Sequence, residues 1–329
     1  MSWNLQIKDF FKQAKKKKIL VVGDLMLDQY FFGKSDRMSP EAPVPVVDVE
    51  RQENRAGGAA NVALNLKAFG CKVSLAGIVG KDGEGKILKK LLSSASIRKN
   101  CLLTSRKNPT TVKTRVIVDG KHVLRLDQEK KEWVAEDEKK LLSDLIEKEI
   151  ENCDAIVIED YDKGVLDGNL ISLIIRKANE KSIPVVVDPK FRNFFSFANC
   201  NLFKPNLKEL NEALHKQHQN HELDAIKISL EKLRKKMPHS STCLTLGENG
   251  ILCMDEDGHF FHSPSISISV KDVSGAGDAV AAILGLGLAE KISMPDLAKL
   301  ANLAGGLACE EVGVTPVARA KIIEKWPHF

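Results

Sequence analysis

The sequence predicts an α/β protein with a mostly parallel central sheet, helices on both faces and a small antiparallel β lid. Three observations predict it. Short apolar runs that read as buried strands alternate with helix-periodic stretches from one end of the chain to the other. Polar residues collect at the carboxyl ends of those runs, where open α/β sheets bind ligands: Asp24, Asp28, Asp160, Asp188, Lys190, Asn206 and Thr245 with Gly247. Two segments, 39–50 and 111–127, instead alternate apolar and polar residues, as strands with one wet face do.

In chain order, ILVVG (19–23) reads as a short buried strand ending at Gly23-Asp24. PVPVVDVE (43–50) supplies the first lid strand. GGAANVALNLKAF (57–69) is a helix entered through a glycine pair, 73–79 a strand and 82–95 a helix. TVKTRVIVDGKHVLRLD (111–127) carries Asp119-Gly120, a two-residue hairpin turn. This lid serves as a flap over the site, as a dimer-forming edge, or as both. A charged amphipathic helix spans 135–151. Strand 155–160, helix 168–181, strand 184–190 and a short run at 201–206 follow. Helices near 207–215 and 223–236 precede strands at 243–247 and 251–255. Apolar helices near 275–289 and 295–311 come last. With no low-complexity linker and no internal repeat, 1–329 is expected to be one domain.

Composition narrows the function. Of 329 residues, 43% are hydrophobic and 28% charged, which suits a globular protein with a filled core. The net charge of +5 is spread along the chain, so it suits a small anionic ligand and points away from nucleic acid. The run Lys15 to Lys18 reads as a solvated helix end. The seven cysteines form no CxxC pair, which argues for reduced thiols rather than a disulfide framework or zinc site. The first 18 residues lack a signal-peptide pattern, and no apolar run is long enough to span a membrane, so a cytoplasmic location is expected.

The strongest chemical signal is DVSGAGDAV (272–280). Gly275, Ala276 and Gly277 open an apolar helix, and small residues there let an anion approach the N-terminal amides. Asp278 follows in the first turn. A carboxylate beside an anion site is electrostatically awkward unless it works as a general base, taking a proton from a hydroxyl that attacks phosphorus. The plainer alternative is a carboxylate that only stabilises the helix start. GxGxxG, the Walker P-loop and the HRD and DFG motifs are all absent.

DVSGAGDAV resembles the C-terminal signature of the ribokinase-like carbohydrate kinases, and Gly57-Gly58-Ala59-Ala60-Asn61-Val62-Ala63 resembles their N-terminal one. Gly23-Asp24, Asp188-Pro189-Lys190, Lys204-Pro205-Asn206 with Glu209, and Thr245 to Gly250 extend the likeness over nearly the whole chain. Within the family the chain is most similar to the heptose-7-phosphate kinases, through MSPEAPVPVV (38–47), KTRVI (113–117), LRLDQE (124–129) and EDYDKG (159–164). Those kinases are often fused to a C-terminal nucleotidyltransferase, whose HxGH-type motif is not found here. Val273 stands where the family often has Thr, and Glu159 where it often has a small polar residue.

The resemblance implies a set of roles. Asp278 would be the base, with Gly275, Ala276 and Gly277 as the anion hole. Asp24, Asp28, Gly57, Gly58 and Asn61 would hold sugar hydroxyls. Lys113, Arg115, Arg125, Lys163 and Lys190 would receive the substrate's phosphate, with Asp127 and Asp160 orienting them or meeting hydroxyls; solvated surface charge is the alternative for each cation. Asn206 and Glu209 would organise Mg²⁺ through water. Thr245, Gly247, Gly250, Asn302 and Gly305 would line the ATP pocket, and Asp272 would adjoin a monovalent cation such as K⁺. A homodimer through the lid is also implied. The expected reaction is ATP-dependent phosphorylation of a heptose 7-phosphate at its 1-hydroxyl. Another sugar kinase of the same fold, or a non-catalytic sugar-phosphate-binding regulator, would share much of this pattern, although a pure binder needs no base beside an anion hole.

Overall fold

The computed structural model describes residues 6–130, 132–266 and 269–326. Its strands are β1 (Lys18–Gly23), β2 (Leu25–Met38), β3 (Pro45–Gly58), β4 (Lys72–Gly80), β5 (Arg98–Ser105), β6 (Thr111–Val118) and β7 (Lys121–Gln128), then β8 (Ala155–Glu159), β9 (Val185–Asp188), β10 (Leu202–Phe203), β11 (Ser241–Thr245), β12 (Ile251–Met254) and β13 (Phe260–Ser263). Successive side chains of β1 enter two different cores. Ile19 and Val21 join one, and Leu20 and Val22 join the other. Burial on both faces is what a central parallel strand requires.

The main sheet has nine strands in the order β13-β12-β11-β10-β9-β8-β1-β4-β5. β12 and β13 are antiparallel additions at one edge; the other neighbours run parallel. One core lies under α1 (Ile7–Ala14), α2 (Ala59–Phe69), α3 (Gly83–Ser94), α8 (Ala276–Ala289), α9 (Met294–Ala308) and α10 (Arg319–Lys325). The opposite core is covered by α4 (Glu136–Ile150), α5 (Gly168–Glu180), α6 (Leu207–Leu214) and α7 (Leu223–Lys236). α8 is buried almost all round, which explains its apolar sequence. Among the described residues, no helix is long and apolar enough to cross a membrane.

The lid is a second sheet, ordered β3-β2-β6-β7. It departs from expectation in two ways. β2 is a 14-residue strand that leaves the central sheet at Asp24 and becomes the middle of the lid, paired with β3 along its length. The lid is also not wholly antiparallel, since β2 and β6 run parallel. The hairpin turn is as read: Asp119 (φ 49°) and Gly120 (φ 78°) are both left-handed, the requirement of a type I′ turn. β7 is exposed along its whole length.

The lid is tied to the body at the 312–315 loop. Arg55 Nη1 donates to the carbonyls of Val312 (2.6 Å) and Val314 (3.4 Å) and to Thr315 Oγ1 (3.0 Å). Val314 N donates to the buried Tyr30 hydroxyl at 3.0 Å. A Cβ at Gly313, where φ is 74°, would lie 2.6 Å from the Tyr30 ring, so glycine is required both for the turn and for the close approach.

Candidate active site

β1, β8 and β9 end in register, so Gly23, Glu159 and Asp188 lie side by side at their carboxyl ends. The N-terminus of α8 meets the sheet at this edge. Gly275 caps the helix with φ 82°, and a Cβ there would sit 2.9 Å from Asn61 Nδ2. Both facts call for glycine.

Asp278 is 2% exposed, and its two oxygens are held by groups outside its own helix. Asn61 Nδ2, from the first turn of α2, donates to Oδ2 at 2.6 Å. The Tyr161 hydroxyl, just beyond β8, donates to Oδ1 at 2.9 Å. The carboxylate is therefore not spent on stabilising the helix start. Burial raises its pKa to about 6, the two hydrogen bonds oppose the rise, and the charges of Asp188 and Asp28 add to it. A base poised near neutrality suits proton abstraction.

Two cavities flank this group. One, of about 1160 Å³, is lined by Ala276 and Gly277 together with Asn206, Thr245, Gly247, Gly250, Asn302 and Gly305. Six of the residues expected around the nucleotide thus face one space; Glu209 and Gly313, whose backbone was also expected there, do not, and Gly313 packs against Tyr30 instead. Several have structural work as well. Asn302 Nδ2 donates to Ser263 Oγ (2.9 Å) and to the Pro264 carbonyl (2.7 Å). Gly250 (φ 81°) lies against the backbone of Ser263 and Pro264, and a Cβ at Gly305 would meet Val280 at 2.8 Å. Gly247 (φ 61°) has open space around it.

The other cavity, of about 760 Å³, is lined by Lys113, Lys163, Lys190, Arg192, Tyr161, Asp162 and Phe191. Its cations come from the lid, from the 160–165 loop and from the end of β9. Arg192 was not singled out from the sequence, and Tyr161 stood within the EDYDKG segment without a role of its own.

Asn206 and Glu209 form a capping box at α6. Glu209 N donates to Asn206 Oδ1, and Asn206 N donates to Glu209 Oε2, both at 2.9 Å. Glu209 Oε1 pairs with Lys190. Alongside, Lys204 Nζ pairs with Asp188 Oδ2 at 2.8 Å, deep in the protein. Burial works against the Lys204 charge, but Asp188, Glu209 and Glu159 outweigh it, so its pKa is raised. Glu159 Oε2 is buried with no hydrogen-bond partner; burial first, then Asp188 and Asp278, push its pKa well up. Both Glu209 oxygens are thus engaged, by Lys190 and by the Asn206 amide, so Mg²⁺ at this cluster would be met through water.

Four expectations need correction. Asp24 has no exposed surface for a sugar. Its carboxylate accepts the backbone N–H groups of Tyr161 (2.8 Å), Lys163 (3.1 Å) and Val165 (3.2 Å), and so fixes the loop after β8. Asp160 does similar work, accepting from Asp162 N (2.9 Å) and Asn193 Nδ2 (3.0 Å); burial, reinforced by Asp24, lifts its pKa to about 7. Arg115 is buried in an ion pair with Asp28, so this cation does not line the basic cavity and this acid is already matched. Arg125 is exposed and pairs with Asp127.

The cations of the lid and of the loop after β8 are partly neutralised. Lys113 lies 3.3 Å from Asp127 and 3.7 Å from Glu129, and Lys163 lies 2.7 Å from Glu129. Gly57 lies against the Asp28 carboxylate, and Gly58 (φ 59°) packs on the Asp24 carbonyl. Asp272 accepts from Ser274 N (2.9 Å) and Gly313 N (2.8 Å), tying the α8 approach to the 311–315 loop.

The fold and this arrangement define a carbohydrate kinase: a doubly covered sheet, a lid, and an acid at a glycine-rich helix start between two cavities. The chain belongs to the pfkB family of carbohydrate kinases, whose profile it matches over residues 16–321. It is 40% identical to the Bifunctional protein HldE of Helicobacter pylori over 297 residues, 90% of this chain and 64% of that protein. To the Bifunctional protein HldE of Geobacter sulfurreducens it is 37% identical over 317 residues, 96% of this chain and 64% of that one. The chain therefore spans 64% of the length of these relatives. Among solved structures it superposes on phosphofructokinase-2 from Escherichia coli in complex with substrates and products with a TM-score of 0.78 at 19% identity, covering 95% of this chain and 99% of that one. Ribokinase from Arabidopsis thaliana complexed with ribose and ATP gives 0.71 at 16%, covering 94% and 98%. At these identities the likeness speaks to fold alone.

Proposed function

We propose that this chain transfers the γ-phosphoryl group of ATP to the anomeric 1-hydroxyl of D-glycero-β-D-manno-heptose 7-phosphate, giving the 1,7-bisphosphate. The observation that carries the reading is that groups next to Asp278 line two cavities: Ala276 and Gly277 wall one of nucleotide size, and its hydrogen-bond donor Tyr161 lines another with three lysines and an arginine. The sugar's own phosphate occupies the basic cavity, near Lys113, Lys163, Lys190 and Arg192. That turns the 1-hydroxyl toward Asp278 and the triphosphate. Asp278 takes the hydroxyl proton as the oxygen attacks phosphorus, the bond to the ADP oxygen breaks, and the amides of Gly275, Ala276 and Gly277 stabilise charge on the transferring group. Asn206 and Glu209 would hold Mg²⁺ through water, and the ion would supply charge to neutralise the phosphates. K⁺ would be held near Asp272 and the 311–315 loop, by the carboxylate and by backbone oxygens that Arg55 does not already take.

The outer face of the lid supports a homodimer. Leu124 and Leu126 are 51% and 54% exposed on a continuous sheet surface. The chain acts as one kinase domain, in the cytoplasm.

ATP turnover against a panel of free and phosphorylated sugars tests the reading. Heptose 7-phosphate is expected to exceed the unphosphorylated sugars fructose and ribose in kcat/KM by at least about a hundredfold, the scale set by losing a phosphate held by charged donors, and to exceed their phosphates as well. Preference for an unphosphorylated sugar would move the assignment elsewhere in the family. Binding without turnover would favour a regulator.

A further inference from the structure

We infer that Tyr161 is a positioning residue for the base: its phenol holds Asp278 in the orientation and ionised state that proton abstraction needs. The inference rests on Asp278 being that base and deepens the reading above. Three independent contacts fix Tyr161 in place. Its backbone N–H is anchored to Asp24 at 2.8 Å. Gly58 lies beside its ring, a Cβ there falling at an ordinary contact distance of 3.6 Å. Lys190 Nζ stands 5.3 Å from the ring centroid on another side. The hydroxyl then reaches Asp278 Oδ1 at 2.9 Å, while Asn61 takes Oδ2. A carboxylate oxygen has two lone pairs, so Tyr161 can remain bound while a substrate hydroxyl uses the other. The side chain also lines the basic cavity, so one ring separates the anion-binding region from the reacting one.

The surroundings make such a donor necessary. Asp278 faces Asp28 from β2, Glu159 from β8 and Asp188 from β9, all of which favour its neutral form. Lys204 is matched to Asp188 and Lys190 to Glu209, so these cations are shared with other acids. Among the described residues only Asn61 and Tyr161 donate directly to the carboxylate, and a donor to the charged form favours ionisation. Tyr161 itself stays protonated, because burial, then Asp278 and Glu159, push its pKa far up.

The test is the pH profile of kcat/KM for Tyr161→Phe, with ADP binding by calorimetry as the check on folding. The acid limb, set near pH 6 in the wild type, is expected to move up by about one unit, since a hydrogen bond to a charged group is worth on the order of 1.36 kcal/mol or more. kcat falls about tenfold at its plateau from lost orientation, with ADP affinity unchanged. If Tyr161→Phe loses ADP binding, 3-fluorotyrosine at 161 replaces it. Tyr30 is the chain's other tyrosine, so Tyr30→Phe supplies the background. A stronger donor is expected to move the acid limb down. An acid limb that stays within about 0.2 unit in the variant used overturns the inference. The Asp278→Asn enzyme keeps the two claims apart: if it is dead while the Tyr161 variants show no shift, only the role of Tyr161 is lost; if it is active, the assignment of the base is lost as well.

Discussion

Replacing Asp278 by Asn changes one oxygen to an amide and leaves the volume of the site almost untouched. The wild-type acid, with a pKa of about 6, is mostly ionised at pH 7.5 and can accept a proton; the amide cannot. General-base assistance contributes about 10²–10⁴ in rate, so kcat is expected to fall by that factor, about 3–5 kcal/mol in barrier. Asp278 does not line the nucleotide cavity, so ADP affinity is expected to change less than threefold, an order-of-magnitude allowance for a neighbouring charge.

The same substitution carries a stability signature. The folded pKa of this carboxyl is raised above its usual 3.8. Its contribution to stability is therefore fully present below about pH 4 and is lost as pH rises through about 6. A shift of this size corresponds to about 3 kcal/mol. Asn is neutral at every pH, so the Tm of the variant relative to wild type is expected to be more favourable at pH 8 than at pH 4. Single-turnover kinetics, calorimetry with ADP and thermal melts at the two pH values make the complete assay. Equal loss of rate and nucleotide binding, or a kcat within a few-fold of wild type, would refute the reasoning.

Arg115→Ala strips the partner from a buried Asp28 and is expected to cost about 3–5 kcal/mol, read as a lower urea midpoint; a loss under about 1 kcal/mol would mean the pair is solvent-accessible in solution. Asn206→Ala removes the side-chain half of the α6 capping box and is expected to cost about 1 kcal/mol of stability, with a weaker Mg²⁺ dependence of turnover as the functional readout. The double change Leu124→Glu, Leu126→Glu is expected to convert a dimer to a monomer in sedimentation; a wild-type chain that already sediments as a monomer at micromolar concentration would end the dimer proposal.

The alternation of strands and helices through most of the body and the hairpin turn were legible in the sequence, as were several glycines and polar residues that line the cavity of about 1160 Å³. Each depends on local patterns: apolar runs bounded by turns, a 3.6-residue period, Asp119-Gly120, and glycines before helices. Elements with weak local signals were not read. β5, RKNCLLTS, has little alternation, and the length of β2 is set by pairing with β3 and β6 rather than by its own residues.

The sequence by itself determined which chemistry is available: a glycine-cradled acid at a helix start, a second glycine pair over 200 residues earlier, and cations spread over a lid and strand ends. Only the tertiary structure decided how those groups are used. Asp24 and Asp160 became anchors of the loop after β8, and Arg115 became the partner of Asp28, because a buried charge must find a donor or an opposite charge wherever the fold brings one near. Tyr161 became the second donor to Asp278 because residues 117 positions apart in the chain meet across the sheet edge, and no local spacing encodes such a meeting.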